Sequence, residues 1–109
     1  MIFGSVFFFL RTLFSTSPQP SRTFDGNHIC DQVSRSGTSI GANVEEADGG
    51  TTKAEKRRAF IIARKESQET RYWLRIICKR WPETPGANDA LQEVTEIKSI
   101  LSAIIDKLS

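Results

Sequence analysis

Apolar residues along this chain recur at intervals of three and four, the spacing that lines one face of an α-helix. Ile29, Val33, Ile40, Val44 and Ala47 follow one another at three, four or seven positions and predict a helix over 26–47. Asp25 is the first candidate for its N-cap and Asn27 the second, because a short side-chain oxygen can accept from a free amide of the first turn. Ser36, Gly37, Ser39 and Gly41 fill the gap in the stripe, and the glycines, four apart, allow another backbone to come close. Each interior glycine costs about 1 kcal/mol relative to alanine, so a contact must offset it. Asp48, Gly49 and Gly50 end the element.

The stretch 52–80 contains neither glycine nor proline and predicts a rod about 42 Å long. Its apolar seam reads Ala59, Ile62, Ala63, then Trp73, Ile76, Ile77 and Trp81, with Glu66, Ser67 and Thr70 continuing the line between them. The middle of a core-facing stripe is therefore polar. Pro82-Glu-Thr-Pro-Gly86 predicts a turn, after which Asn88 is expected to cap a helix over 88–108 carrying Leu91, Val94, Ile97, Leu101, Ile104, Ile105 and Leu108. At the other end, Ile2 to Leu10 is almost wholly apolar but has no basic region ahead of it, and Arg11 stops it far short of the ~20 residues of a membrane span. A short buried helix over 3–14 is expected there, followed by a loop from Ser15 to Arg22 that holds Pro18 and Pro20.

Four helical segments and no alternating one give an all-α fold, an antiparallel up-down four-helix bundle, in a single domain over 1–109. The short first helix would leave apolar surface on the third and fourth uncovered, which self-association would cover. Composition adds little to this: 39% of residues are hydrophobic and 26% charged. Cys30 and Cys78 lie too far apart for a metal knuckle or a disulfide framework and fit free thiols in a cytoplasmic protein. The single His28 near Cys30 supplies too few ligands for a metal, and no cofactor motif or small-molecule site is apparent.

The run Arg35-Ser-Gly-Thr-Ser-Ile-Gly-Ala-Asn-Val-Glu-Glu-Ala47, with Ile62-Ala63, Lys65-Glu66, Glu69-Thr70 and Tyr72-Trp73-Leu74 after it, resembles a bacterial four-helix-bundle family first noticed as proteins encoded in 23S ribosomal RNA intervening sequences. The resemblance extends from about Ile29 to Leu108 and implies a ring-shaped homopentamer. It also implies kinship with the accessory proteins of diversity-generating retroelements, which bind nucleic acid and a reverse transcriptase through a basic surface. The Phe-rich first helix departs from the longer, more amphipathic one usual in the family.

Charge is distributed unevenly. Residues 1–52 carry a net −2, residues 53–80 a net +7 and residues 83–109 a net −3. Lys53, Arg57, Arg64, Arg71, Arg75 and Lys79 are spaced by four or seven and form a stripe along the third helix, suited to phosphate backbones without base reading. The competing expectation is a solvated face partly paired with Asp89, Glu93 and Glu96 or with Glu45 and Glu46. No exposed aromatic is read as interleaved with the stripe.

An enzyme is not expected. Glu45, Glu46, Glu66 and Glu69 lack the Glu-x-x-His pairs of a di-iron bundle, and a serine or cysteine nucleophile would have only His28 as base. Arg35, Glu46, Glu66, Glu69 and Thr70 are read instead as a buried polar network that fixes helix or subunit register, with Arg71 an alternative partner for the carboxylates. Two functions follow: an adaptor offering the stripe to RNA or to a nucleic-acid enzyme such as a reverse transcriptase, or a protein–protein scaffold using the fourth helix's Ile and Leu seam and the Phe residues of the first.

Overall fold

The computed structural model describes residues 2–15 and 24–109, in four α-helices: α1 (Ile2–Ser15), α2 (Phe24–Asp48), α3 (Lys53–Arg80) and α4 (Ala87–Lys107). The Pro18 and Pro20 loop lies outside the described residues. Each helix packs against two neighbours in the cyclic order α1, α2, α3, α4, while the diagonal pairs stay apart. Neighbouring helices run antiparallel, and named contacts join each seam: Arg35 meets Glu66 and Glu69, Arg64 meets Ser102, Thr12 meets Glu93, and Gly37 and Gly41 face Leu13 and Val6. The result is an up-down bundle measuring 45 × 21 × 20 Å, its long axis set by α3.

The core follows helical spacing. Ile2, Val6, Phe9 and Leu13 form the inner face of α1, and Val33, Ile40, Val44 and Ala47 that of α2. Ala87, Ala90, Val94, Ile97, Leu101 and Ile105 are buried on α4. Because Val94, Ile97, Leu101 and Ile105 are already spent on this core, the fourth helix's seam does not offer the docking surface that a scaffold reading required. Among the described residues the exposed large apolar side chains lie elsewhere, at Phe7 and Phe8 on α1 and Ile62 and Tyr72 on α3.

On α3 the buried line is Ala59, Ala63, Ser67, Thr70, Leu74 and Ile77. Leu74 thus replaces Trp73 and Ile76 as the core residue of that turn, and Ile62, at 40% exposure, faces solvent. The expected polar middle is present as small groups. Thr70 Oγ1 donates to Ser36 Oγ at 2.7 Å, Ser36 Oγ donates to the Gln32 carbonyl at 2.9 Å, and Ser67 Oγ to the Arg64 carbonyl at 2.7 Å. Each buried hydroxyl thereby keeps the partner it would otherwise have had in water.

Gly37 and Gly41 carry the contact that offsets their helix cost, and it is with α1. A Cβ on Gly37 would stand 2.9 Å from Leu13 Cδ2, and one on Gly41 3.4 Å from Val6 Cγ1.

Two of the expected caps are not used. Asp25 and Asn27 both fall inside α2, which already runs at Phe24. Asn88 lies within α4, whose N-cap is Gly86 at φ 78°, a left-handed conformation that glycine adopts without a Cβ clash. The chain reaches it through a tight turn in which Thr84 Oγ1 donates to the Trp81 carbonyl at 2.7 Å and the Ala90 amide donates to the Gly86 carbonyl at 2.9 Å. That geometry starts the helix before Asn88 can cap it. By contrast α3 opens on a full capping box: Thr52 Oγ1 accepts from the Glu55 amide at 3.1 Å while Glu55 Oε2 accepts from the Thr52 amide at 3.3 Å and the Thr51 amide at 2.8 Å. Those hydrogen bonds hold the Glu55 carboxyl below its ordinary pKa.

Candidate nucleic-acid interface on α3

Successive residues of an α-helix are turned by about 100°, so Lys53, Arg57, Arg64, Arg71, Arg75 and Lys79 share an arc of about 80° running about 39 Å along α3. The arc lies on the flank toward α4, where Arg64 Nη1 is 3.4 Å from Ser102 Oγ. Lys53, Arg75 and Lys79 are exposed, whereas Arg57, Arg64 and Arg71 are half-buried, with Arg57 Nε covered. Among the described residues none of the six forms an ion pair within 4.0 Å, so the expected pairing with Asp89, Glu93 and Glu96 or with Glu45 and Glu46 is not made.

The acidic groups of α4 are occupied on another side. Asp89, Glu93 and Glu96 line a groove of about 700 Å³ against Gly4, Ser5, Phe8 and Thr12 of α1. Thr12 Oγ1 lies 3.2 Å from Glu93 Oε2. Burial raises the Glu93 pKa, the Thr12 hydrogen bond opposes that, and the charges of Asp89 and Glu96 add to it. The stripe cations and these three carboxylates thus lie on different sides of the bundle. Residues 53–80 carry a net +7 in a chain whose net charge is only +2.

The flank of α3 toward α2 holds the paired charges. Arg35 meets Glu66 at 3.4 Å and Glu69 through its other guanidinium nitrogen, and its Nε donates to Gln32 Oε1 at 3.3 Å. Trp73 Nε1 donates to Glu69 Oε2 at 3.4 Å, which extends the cluster down the helix. Thr70 belongs to the buried Ser36 contact one step further in. Glu46 does not join them: eleven residues beyond Arg35, or about 16 Å along α2, it borders a separate hollow with Glu55 and Arg58. The Arg35 side chain is 50% exposed, so the cluster is a rim on the single chain and not a buried network.

One site residue was not evident from the sequence. Tyr72 is 55% exposed and sits at the edge of the basic arc, beside Arg75, Ile76, Lys79 and Arg80 around a depression of about 510 Å³. An aromatic is therefore interleaved with the cations after all. The helical angle of Tyr72, about 100° from Arg71, was the signal available.

Among the described residues no three His, Cys, Asp or Glu side chains converge. Nor is any described helix long and apolar enough to cross a membrane.

Similarity to known proteins agrees with the four-helix fold. No curated protein matches the chain. A crystal structure of a protein of unknown function from the S23 ribosomal protein family of Bacteroides thetaiotaomicron is 29% identical, covers 96% of this chain and 98% of its own, and superposes with a TM-score of 0.81. Residues 21–103 match the 23S rRNA-intervening sequence protein family, a span that takes in the whole of α2 and α3 and most of α4. The chain belongs to the 23S rRNA-intervening sequence protein family.

Proposed function

We propose that this chain is a non-enzymatic adaptor of the cytoplasm that assembles with copies of itself, as a homopentamer, and presents the α3 stripe to nucleic acid, alone or beside a nucleic-acid enzyme such as a reverse transcriptase. The observation that carries the reading is the run of six cations on one arc of α3, with no carboxylate paired to any of them among the described residues. Cations with no paired carboxylate retain their charge for phosphates, and the regular spacing suits a polymer better than a small anion. Assembly draws on the family resemblance and on the exposed Phe7 and Phe8, which a lone subunit leaves in water. Rotation of one stripe about a ring axis would turn it into a belt.

The test is electrostatic. Filter binding across a salt series should give an affinity that falls steeply, with Lys53→Ala and Arg75→Ala each lowering the slope by about one phosphate contact. Absence of binding at ~50 mM salt rejects the reading. Phe7, at 64% exposure, favours a second one, a protein–protein scaffold in which the Phe residues of α1 carry the contact. Co-purification of a defined protein partner that persists at high salt would select it.

A further inference from the structure

Beyond a sequence-blind phosphate stripe, we infer that the depression at Tyr72 seats an unpaired base, so that the strand held on α3 is single-stranded nucleic acid. The inference rests on the nucleic-acid reading of the stripe and narrows it to one substrate class.

Three observations support it. Tyr72 is an aromatic in an unusual place, more than half exposed on a helix whose neighbouring Trp73 and Leu74 turn inward. It is also braced. Trp73 meets the Tyr72 ring edge-on, with centroids 5.1 Å apart and planes at 65°, and is itself held by Glu69 Oε2 at 3.4 Å and by the His28 ring at 6.1 Å. A ring fixed in this way loses little freedom when another ring stacks on it. Third, the surroundings match a nucleotide in composition. Tyr72 and Ile76, one turn apart, supply apolar surface, while Arg75, Lys79 and Arg80 supply cations, and among the described residues no carboxylate lines the depression.

A planar apolar group joined to a phosphate satisfies both halves of such a site. Duplex nucleic acid offers the phosphate but keeps its base faces inside the stack, so only an unpaired strand can use Tyr72. An acidic peptide could use the cations, but it would need a carboxylate run matching a stripe of about 39 Å. Two of the lining residues, Arg75 and Lys79, belong to that stripe, so a strand tracking it passes directly over the depression.

The experiment uses the full chain and one labelled RNA oligonucleotide long enough to span the stripe, presented single-stranded or annealed to its complement, at ~50 mM salt with anisotropy as readout. Wild type should prefer the single strand. Tyr72→Ala should lose about 5- to 150-fold on the single strand, the loss expected of one base stack, and nothing on the duplex. Tyr72→Phe should keep both affinity and preference, since the ring and not the hydroxyl is used. As a measurement independent of any variant's folding, near-ultraviolet crosslinking of wild type to a thiouridine-substituted strand should place an adduct on the tryptic peptide Tyr72–Arg75.

Equal loss on strand and duplex, no preference in wild type, adducts confined to other peptides, or displacement of the strand by polyglutamate as readily as by RNA would each overturn the base seat and leave the phosphate stripe standing. Binding of neither oligonucleotide would instead remove the stripe reading, and the base seat with it.

Discussion

Helix α2 is held on its two flanks by opposite chemistry. Toward α1 it offers bare backbone: Gly37 and Gly41 receive Leu13, Phe9, Val6 and Leu10, and the contact is all van der Waals. Toward α3 it offers polar groups, Ser36 to Thr70 inside and Arg35 to Glu66 and Glu69 at the rim. Both seams come from one stretch, Arg35-Ser-Gly-Thr-Ser-Ile-Gly41, because residues three and four apart repeat on one side while adjacent ones point to different neighbours. The glycine seam depends on shape, so added volume is what breaks it. The polar seam depends on pairing, so an unmatched partner breaks it.

The largest effect is therefore expected from volume. Gly37→Leu would drive a branched side chain into Leu13 and Phe9, and overpacking of this kind costs about 1–3 kcal/mol. Gly37→Ala should be close to neutral, because the Leu13 methyl it meets is the tip of a flexible side chain and the helix gains about 1 kcal/mol of propensity. Thermal melts of the pair settle it. A Leu variant as stable as wild type would mean that α1 is not seated on these glycines.

The polar seam should respond next, through its pairing. Thr70→Val takes the donor from Ser36 and should cost about 1 kcal/mol, whereas Ser36→Ala with Thr70→Val removes both partners and should cost less than the two single changes added together. Strict additivity in urea melts would show that the 2.7 Å contact is proximity without coupling.

At the rim, Glu66→Ala should change stability by less than about 1 kcal/mol, because Arg35 is half exposed and such pairs are weak. Its effect is expected in assembly. If the Arg35 cluster orients one subunit against the next, light-scattering mass shifts in this variant while helix content holds. Mass and melting both unchanged would confine the cluster to a surface decoration.

These seams also explain which parts of the protein were legible in the sequence. The α4 stripe was legible because its apolar residues lie on one face only, and burial follows directly at Val94, Ile97 and Leu101. The α3 stripe was misread because Tyr72-Trp73-Leu74 places three large rings or chains on three consecutive positions. Which one enters the core depends on where α2 and α4 sit, and that is tertiary information. Leu74 won the central position, Trp73 was drawn to Glu69, and Tyr72 was left to solvent as the least expected site residue. The cation spacing of four and seven needed no such information. The partners of those cations did: α4 turns Asp89, Glu93 and Glu96 toward α1, away from a stripe they would have neutralised.

That orientation of α4 sets up the smallest and most diagnostic effect, on the other face of α1. Glu93 is brought among Asp89, Glu96 and Phe8 with one oxygen on Thr12 and the other without a hydrogen-bond partner, and its pKa is raised chiefly by burial. A raised folded-state value means that the folded chain holds this proton more tightly than the unfolded chain. The stabilisation is then complete below the ordinary glutamate range and is lost as pH rises through the folded value. Glu55 has the opposite sign: its lowered pKa stabilises above the ordinary range and is lost as pH falls through the folded value. Glu93→Gln keeps an acceptor for Thr12 and cannot ionise, so its melting temperature should exceed that of wild type at neutral pH and converge with it in acid. Glu93 is only half-buried, so screening limits the difference to about half a kcal/mol or less. Melting curves that stay parallel from acid to neutral pH would show that the α1–α4 contact does not sense this carboxyl, leaving the glycine seam as the principal anchor of α1.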